Sequence, residues 1–334
     1  PGPERLRSYP LFHPRSHWTT VMIPASPTPF RGVYAATLVP FLENGTLDEP
    51  LFRQHLVDCT RPEGIVGILC NGHAGENHLL TRAEKRRVVE LAAETIGADR
   101  IIVSGILSED LDEACLHARD AVEAGADALL VFPPFSWAVS QDHDAIIAHH
   151  AAICEAVDAP IMLYQSSVGS GGMAYSLPIL ESLLSLPGIV AIKEGSWETN
   201  AYDKHRRLAA RVAPHVDVMA SGDEHLLPCF AIGTTGSLVS LAAILPVSLA
   251  KLWRAMENND LPAARKVHDV IQPLANLVYG RAPSGRATLR LKACLVMQGK
   301  WPSCRTRKAS DIIAPEEWQE LSAALQDAMT LEGP

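Results

Sequence analysis

The sequence predicts a (β/α)8 barrel, the TIM-barrel class, followed by a C-terminal helical extension. Three observations carry this expectation. Eight short aliphatic runs recur between Arg31 and Ser240, amphipathic stretches of helical period separate them, and beyond Asn258 the pattern changes to helices alone. Strand and helix alternating about eight times is what a parallel sheet closed on itself requires. An open, doubly wound sheet uses the same alternation, and only the count of runs favours closure. The expected division is an N-terminal arm over 1–30, a barrel over 31–258 and a helical extension over 259–334.

In chain order, the first thirty residues hold seven prolines (Pro1, Pro3, Pro10, Pro14, Pro24, Pro27 and Pro29) and no period, which marks an extended lead-in rather than an element. The candidate strands are Gly32 to Leu38, Ile65 to Cys70, Ile101 to Gly105, Ala128 to Phe132, Pro160 to Tyr164, Ile189 to Lys193, Val216 to Ser221 and Ser237 to Ser240. They are apolar nearly throughout, as strands buried on both faces should be. Among the helices, Arg82 to Ile96 is preceded by Thr81 with Glu84 three residues on, the spacing of a capping box. Glu109 to Ala124, Ala145 to Ala156 and Asn200 to Val212 follow the same period, and Pro246 to Asn258 opens on a proline whose missing N–H costs nothing there. The extension comprises Leu261 to Val278, Thr288 to Gln298 and Pro315 to Thr330.

Composition narrows the function classes. With 334 residues, 47% hydrophobic and 20% charged, the chain can bury a large core. A formal charge of −9 repels polyanions, so nucleic acid is not an expected partner. The longest apolar run, Ser237 to Ala250, is broken by Pro246 and too short to span a bilayer, so no membrane partner is expected either. Seven cysteines without CxxC spacing point to a reducing compartment, and with no secretory pattern at the N-terminus the expected location is cytoplasmic. There is no HExxH, no GxxxxGK[ST] and no GxSxG, and His149 and His150 are adjacent and point to different faces of a helix. No metal and no cofactor are therefore expected.

In a parallel-sheet fold, ligands gather at the C-terminal ends of the strands. Lys193 ends the run Ile189-Val190-Ala191-Ile192 and Tyr164 ends Pro160-Ile161-Met162-Leu163, 29 residues earlier, which puts both at the ends of neighbouring strands. A lysine desolvated there is pushed toward its neutral form and can attack a ketone to give a Schiff base, whose iminium stabilises a carbanion on the adjacent carbon. A nearby phenol would move the protons. The structural alternative is a lysine reaching the rim or pairing with Glu194. Asn71 to Glu76, with Gly72 and Gly75 bracketing two residues, suits either an anion-binding concavity or an ordinary tight turn. Gln165 to Gly172 is a polar stretch that either arches over a site or is a surface loop. Ser221-Gly222-Asp223-Glu224 and Gly233-Thr234-Thr235-Gly236 could bind substrate hydroxyls or cap helices.

Gly72-His73-Ala74-Gly75-Glu76, Tyr164, Ile192-Lys193-Glu194-Gly195, Ser221 to Glu224 and Gly233 to Gly236 stand in an order and spacing that resembles the dihydrodipicolinate synthase and N-acetylneuraminate lyase family. Gly32 to Phe41 is similar to its first strand and Leu289 to Gly299 to its C-terminal helix, so the resemblance covers about Arg31 to Thr330. It implies a homotetrameric class I aldolase acting on pyruvate-like 2-oxo acids, with a 2-oxo acid and an aldehyde as small-molecule partners. By position it makes Lys193 the Schiff-base lysine, Tyr164 the proton relay, and Gly72 to Glu76 the loop that holds the substrate carboxylate through the N–H groups of Ala74 and Gly75. It places Gly222 and Leu238 beside the substrate.

Three departures limit what the resemblance implies. The hydroxyl pair of the loop is replaced by His73 and Ala74, which removes a threonine relay and makes His73 a candidate substrate contact, either as a substitute acid or base or as a hydrogen-bond donor. Pro133 to Trp137 lacks the tyrosine that the synthase lends across its dimer interface. Gln165 to Gly172 has no arginine for the carboxylate of a second substrate. Lysine biosynthesis is therefore disfavoured, and Trp137 is either a core tryptophan or a stacking surface for an aromatic or sugar-like aldehyde. The leading expectation is a 2-oxo acid lyase. A dehydratase of 2-oxo-3-deoxy sugar acids and a catalytically silent acid-binding paralogue are the alternatives.

Overall fold

A computed structural model describes residues 30–140, 142–307 and 312–333, so the arm expected over 1–30 lies, but for Phe30, outside the described residues. Eight strands form one closed parallel barrel in chain order: β1 Gly32–Ala36, β2 Ile65–Cys70, β3 Ile101–Ile106, β4 Ala128–Val131, β5 Ile161–Gln165, β6 Ile189–Glu194, β7 Asp217–Ala220 and β8 Gly236–Val239, with β8 pairing back onto β1. Closure excludes the open doubly wound sheet. The helices between strands are α1 Glu49–Thr60, α2 Arg82–Ile96, α3 Leu111–Glu123, α4 His143–Ala156, α5 Leu177–Leu184, α6 Thr199–Val212, α7 Leu226–Ile232 and α8 Pro246–Glu257. The capping box at α2 is formed, Thr81 accepting from Glu84 N and the Glu84 carboxylate accepting from Thr81 N at 2.9 Å.

After the barrel come α9 Leu261–Ala275, α10 Ala287–Met297 and α11 Pro315–Met329. The helix expected to run unbroken to Val278 changes instead to a π turn over Asn276–Gly280, three residues after Pro273, which withholds one backbone donor from the last α-turn. This extension is tied to the barrel by charge. Lys292 on α10 and Glu76, both fully buried, pair at 2.5 Å, and the second Glu76 oxygen accepts from Arg307 N at 2.8 Å. Arg307 in turn pairs with Glu84 and donates to Leu79 O at 3.1 Å.

The apolar strands divide their side chains between two cores. Val33, Ala35, Ile68, Leu129, Leu163 and Ile192 belong to the layer beneath the helices, whereas Tyr34, Leu69, Leu130, Met162, Ala191, Met219 and Leu238 fill the barrel interior. This is the two-residue period of a strand hidden inside runs that are apolar at every position. Gly67 shows how tightly the interior is filled, since a Cβ there would fall 2.6 Å from the Tyr34 ring. The same period fixes the site: Tyr164 follows Met162 by two and Lys193 follows Ala191 by two, so both enter the interior at its C-terminal end. Among the described residues no helix is long and apolar enough to cross a membrane.

Candidate active site

Strands β5 and β6 pair with Tyr164 opposite Lys193, so amine and phenol share one rung of the ladder. The Lys193 Nζ lies 5.4 Å from the centre of the Tyr164 ring and 6.0 Å from that of Phe132. Lys193 is 9% exposed. Burial pushes its ammonium down to about 8, with the nearby Asp223 carboxyl opposing the shift. Glu194, one residue on, points to the other face of the sheet, where its carboxylate meets His205 Nδ1 at 2.7 Å and accepts from Ser196 N at 3.4 Å. Neither alternative for the lysine holds, since it is not at the rim and not paired with Glu194. Burial, and then the charges of Glu194 and Asp223, raise the Tyr164 hydroxyl well above the usual phenol range, so it carries its proton at neutral pH.

Lys193 and Tyr164 open onto a cavity of about 620 Å³, also lined by Gly72, His73, Ala74, Phe135, Ser167, Trp197, Asp223, Glu224, Leu238 and Tyr279. Its size falls in the range of pockets that enclose a drug-sized ligand. Burial drives the His73 imidazole down to about 3, so the ring is neutral. It lies 4.3 Å from Phe132 and 5.6 Å from Tyr164, and its buried Nε2 has no hydrogen-bond partner among the described residues. Asp223 is pushed up to about 7 by burial, although Leu241 N donates to it at 2.6 Å and Lys193 favours its charge. The buried Tyr279 hydroxyl sits beside Asp223 and Ser240 without a hydrogen bond of standard geometry.

Several expected positions fall elsewhere. Gly75 does not line the cavity; its N–H is donated to Gly72 O at 3.0 Å to close the 3₁₀ turn His73–Gly75, so it is not available to a substrate. His73 and Ala74 do line the cavity. Gly222 is in the left-handed region at φ 84 and packs beneath the Trp197 ring, which a Cβ there would approach to 3.5 Å, so it supports a cavity wall rather than forming one. Trp137 turns away and packs edge-on to His149 at 5.3 Å, because the 3₁₀ turn Phe135–Ala138 sends its first aromatic ring to the cavity and its second to α4. Of Gln165 to Gly172, Ser167 reaches the cavity. Thr234 is structural, its hydroxyl accepting from Ala220 N at 3.1 Å.

Sequence reading passed over Phe135, Trp197 and Tyr279. Trp197 carried a usable signal, a large aromatic four residues after the strand-end lysine. Tyr279 carried none, because it is delivered by the extension.

Comparison with known proteins agrees with this architecture. The Dihydrodipicolinate synthetase family model matches residues 29–328. Curated relatives named 4-hydroxy-tetrahydrodipicolinate synthase include one from Salinibacter ruber, 31% identical over 244 residues, 73% of this chain and 79% of that protein. Another, from Protochlamydia amoebophila, is 27% identical over 304 residues, 86% of this chain and 98% of that protein. The crystal structure of dihydrodipicolinate synthase from Aquifex aeolicus superposes with a TM-score of 0.80 at 23% identity, covering 91% of this chain and 99% of that one. The chain belongs to the dihydrodipicolinate synthetase family, and with it to the lyases of the class I aldolase type.

Proposed function

We propose that this chain is a Schiff-base lyase that makes or breaks a carbon–carbon bond next to a pyruvate-like 2-oxo acid through Lys193, and that its aldehyde partner is not the one used in lysine biosynthesis. The observation that carries the reading is Lys193 opposite Tyr164 on adjacent strands, with the amine buried and its ammonium depressed to about 8. An ordinary lysine near 10.5 is neutral roughly three times in ten thousand at pH 7, whereas one near 8 is neutral about one time in ten. The free amine attacks the ketone, water leaves, and the iminium withdraws electrons from the neighbouring carbon. Tyr164, protonated and on the same rung, gives a proton to the departing oxygen and shuttles it during enamine formation. The substrate carboxylate is placed against the turn of Gly72, His73 and Ala74, and Leu238 packs against its methyl side.

The second half of the reading rests on charge. No arginine lines the cavity among the described residues, while Asp223 and Glu224 do, and an aldehyde bearing its own carboxylate would meet them unpaired. Incubation with pyruvate and borohydride, followed by peptide mapping, should place a reduced adduct on Lys193. Absence of an adduct where a control aldolase is trapped would refute the reading. Product analysis separates carbon–carbon cleavage, which yields pyruvate and an aldehyde, from water loss with the carbon chain intact. We further propose a homotetramer, for which sedimentation should give four times the 36.1 kDa chain mass.

A further inference from the structure

We infer that the aldehyde partner is uncharged and aromatic, and that its ring seats between Phe135 with His73 on one wall and Trp197 with Tyr279 on the other. This rests on the reading that Lys193 forms the imine. In an eight-stranded barrel β2 and β6 lie across from each other, so the loop carrying His73 faces the loop carrying Trp197 over the strand-end amine. Phe135 stays 42% exposed, yet it is held in place: its backbone N–H donates to Glu109 at 2.7 Å and its ring stacks on His73 at 5.8 Å with 27° between planes. A large apolar ring fixed at a cavity mouth loses its hydration cost when a flat ligand covers it. Opposite, Trp197 adopts φ 59, which bulky residues rarely do, and its ring lies 6.5 Å from that of Tyr279.

Charge argues for neutrality. Lys193 is the one lysine lining the cavity among the described residues, and as an iminium it is matched by the carboxylate of the 2-oxo acid itself. A second carboxylate would share the cavity with the carboxyl groups of Asp223 and Glu224 and find no arginine in its lining among the described residues. A polyhydroxylated aldehyde would have to draw on Ser167, Ser221, Asp223, Glu224 and Ser240 elsewhere in the lining for the hydroxyls it buries, whereas the rings of Phe135 and Trp197 offer apolar faces. The His73 Nε2, without a hydrogen-bond partner among the described residues, can hydrogen-bond a ring substituent or the aldehyde oxygen.

The step balances without an oxidant or reductant. The iminium loses a proton from its methyl carbon to give an enamine. That carbon attacks the aldehyde carbon, and the carbonyl electron pair moves to oxygen, which takes up a proton and becomes a hydroxyl. Water then hydrolyses the iminium, releasing a 4-aryl-4-hydroxy-2-oxo acid and the amine.

The test uses the full chain with pyruvate and, separately, benzaldehyde, glyceraldehyde or succinic semialdehyde, scoring new carbon–carbon products chromatographically, with borohydride trapping of pyruvate in parallel. We expect kcat/KM for benzaldehyde to exceed both others by about tenfold or more, and Phe135→Ala to lower the benzaldehyde-to-glyceraldehyde ratio by about tenfold. If the Lys193 adduct forms but benzaldehyde gives no product, or is not preferred, or the ratio survives Phe135→Ala, the inference is overturned and the imine reading stands. If no adduct forms, the imine reading fails first and takes the inference with it.

Discussion

Replacing Lys193 with methionine should abolish turnover and adduct formation while making the protein more stable near neutrality. The amine is nearly fully buried, and burial is the first cause of its depression from 10.5 to about 8. Because the folded state lowers this pKa, holding the group protonated in the fold costs free energy below pH 8. That cost disappears as pH rises from 8 through the unfolded value near 10.5. At 1.36 kcal/mol for each pH unit separating the two values, it amounts to about 3 kcal/mol at neutral pH. Methionine has nearly the same shape and no charge to desolvate. Unfolding free energies of the wild type and Lys193→Met, measured in urea at pH 7.5 and at pH 10.5, should therefore differ by about 3 kcal/mol more at the lower pH, with the variant the more stable. Parallel pH profiles, or a variant less stable at pH 7.5, would show that the lysine is not stored in the barrel as an unfavourable charge, and the argument for a neutral nucleophile would fall.

Other consequences are as direct. Tyr164→Phe should lower kcat by about 10²- to 10⁴-fold while the borohydride adduct at Lys193 still forms given time, since in the proposed mechanism the phenol moves protons and the amine makes the bond; equal rates in pre-steady-state assays would refute the relay. The kcat/KM profile should rise with pH toward a midpoint near 8, and Asp223→Asn should move that midpoint lower, because the Asp223 charge raises the lysine pKa. An unmoved midpoint would separate the two groups. Lys292→Met leaves the Glu76 carboxylate buried without its cation and should cost about 3–5 kcal/mol of stability, read by denaturant melts. The double variant with Glu76→Gln should recover part of that loss, and an additive double variant would mean that the pair does not act as a unit.

The sequence by itself favoured the barrel and marked the lysine, and the pairing of β8 with β1 decided closure. Eight apolar runs with helices between them leave a barrel or an open doubly wound sheet, and Lys193 and Tyr164 were legible as the polar residues that end two of those runs; which face of each apolar strand turns to the interior was not legible, because both faces are apolar. The short helices α5 and α7 left too brief a period to be singled out. Where the period ends, so does legibility. Backbone turns decided that Phe135 and not Trp137 meets the cavity, that the N–H of Gly75 closes its own 3₁₀ turn, and that Gly222 supports Trp197. Tertiary packing alone brought Tyr279 over the site and set Lys292 on Glu76, 216 residues away. Local spacing encodes the direction of a side chain on a regular element; contacts across hundreds of residues are chosen by how charges and rings find partners once water is excluded.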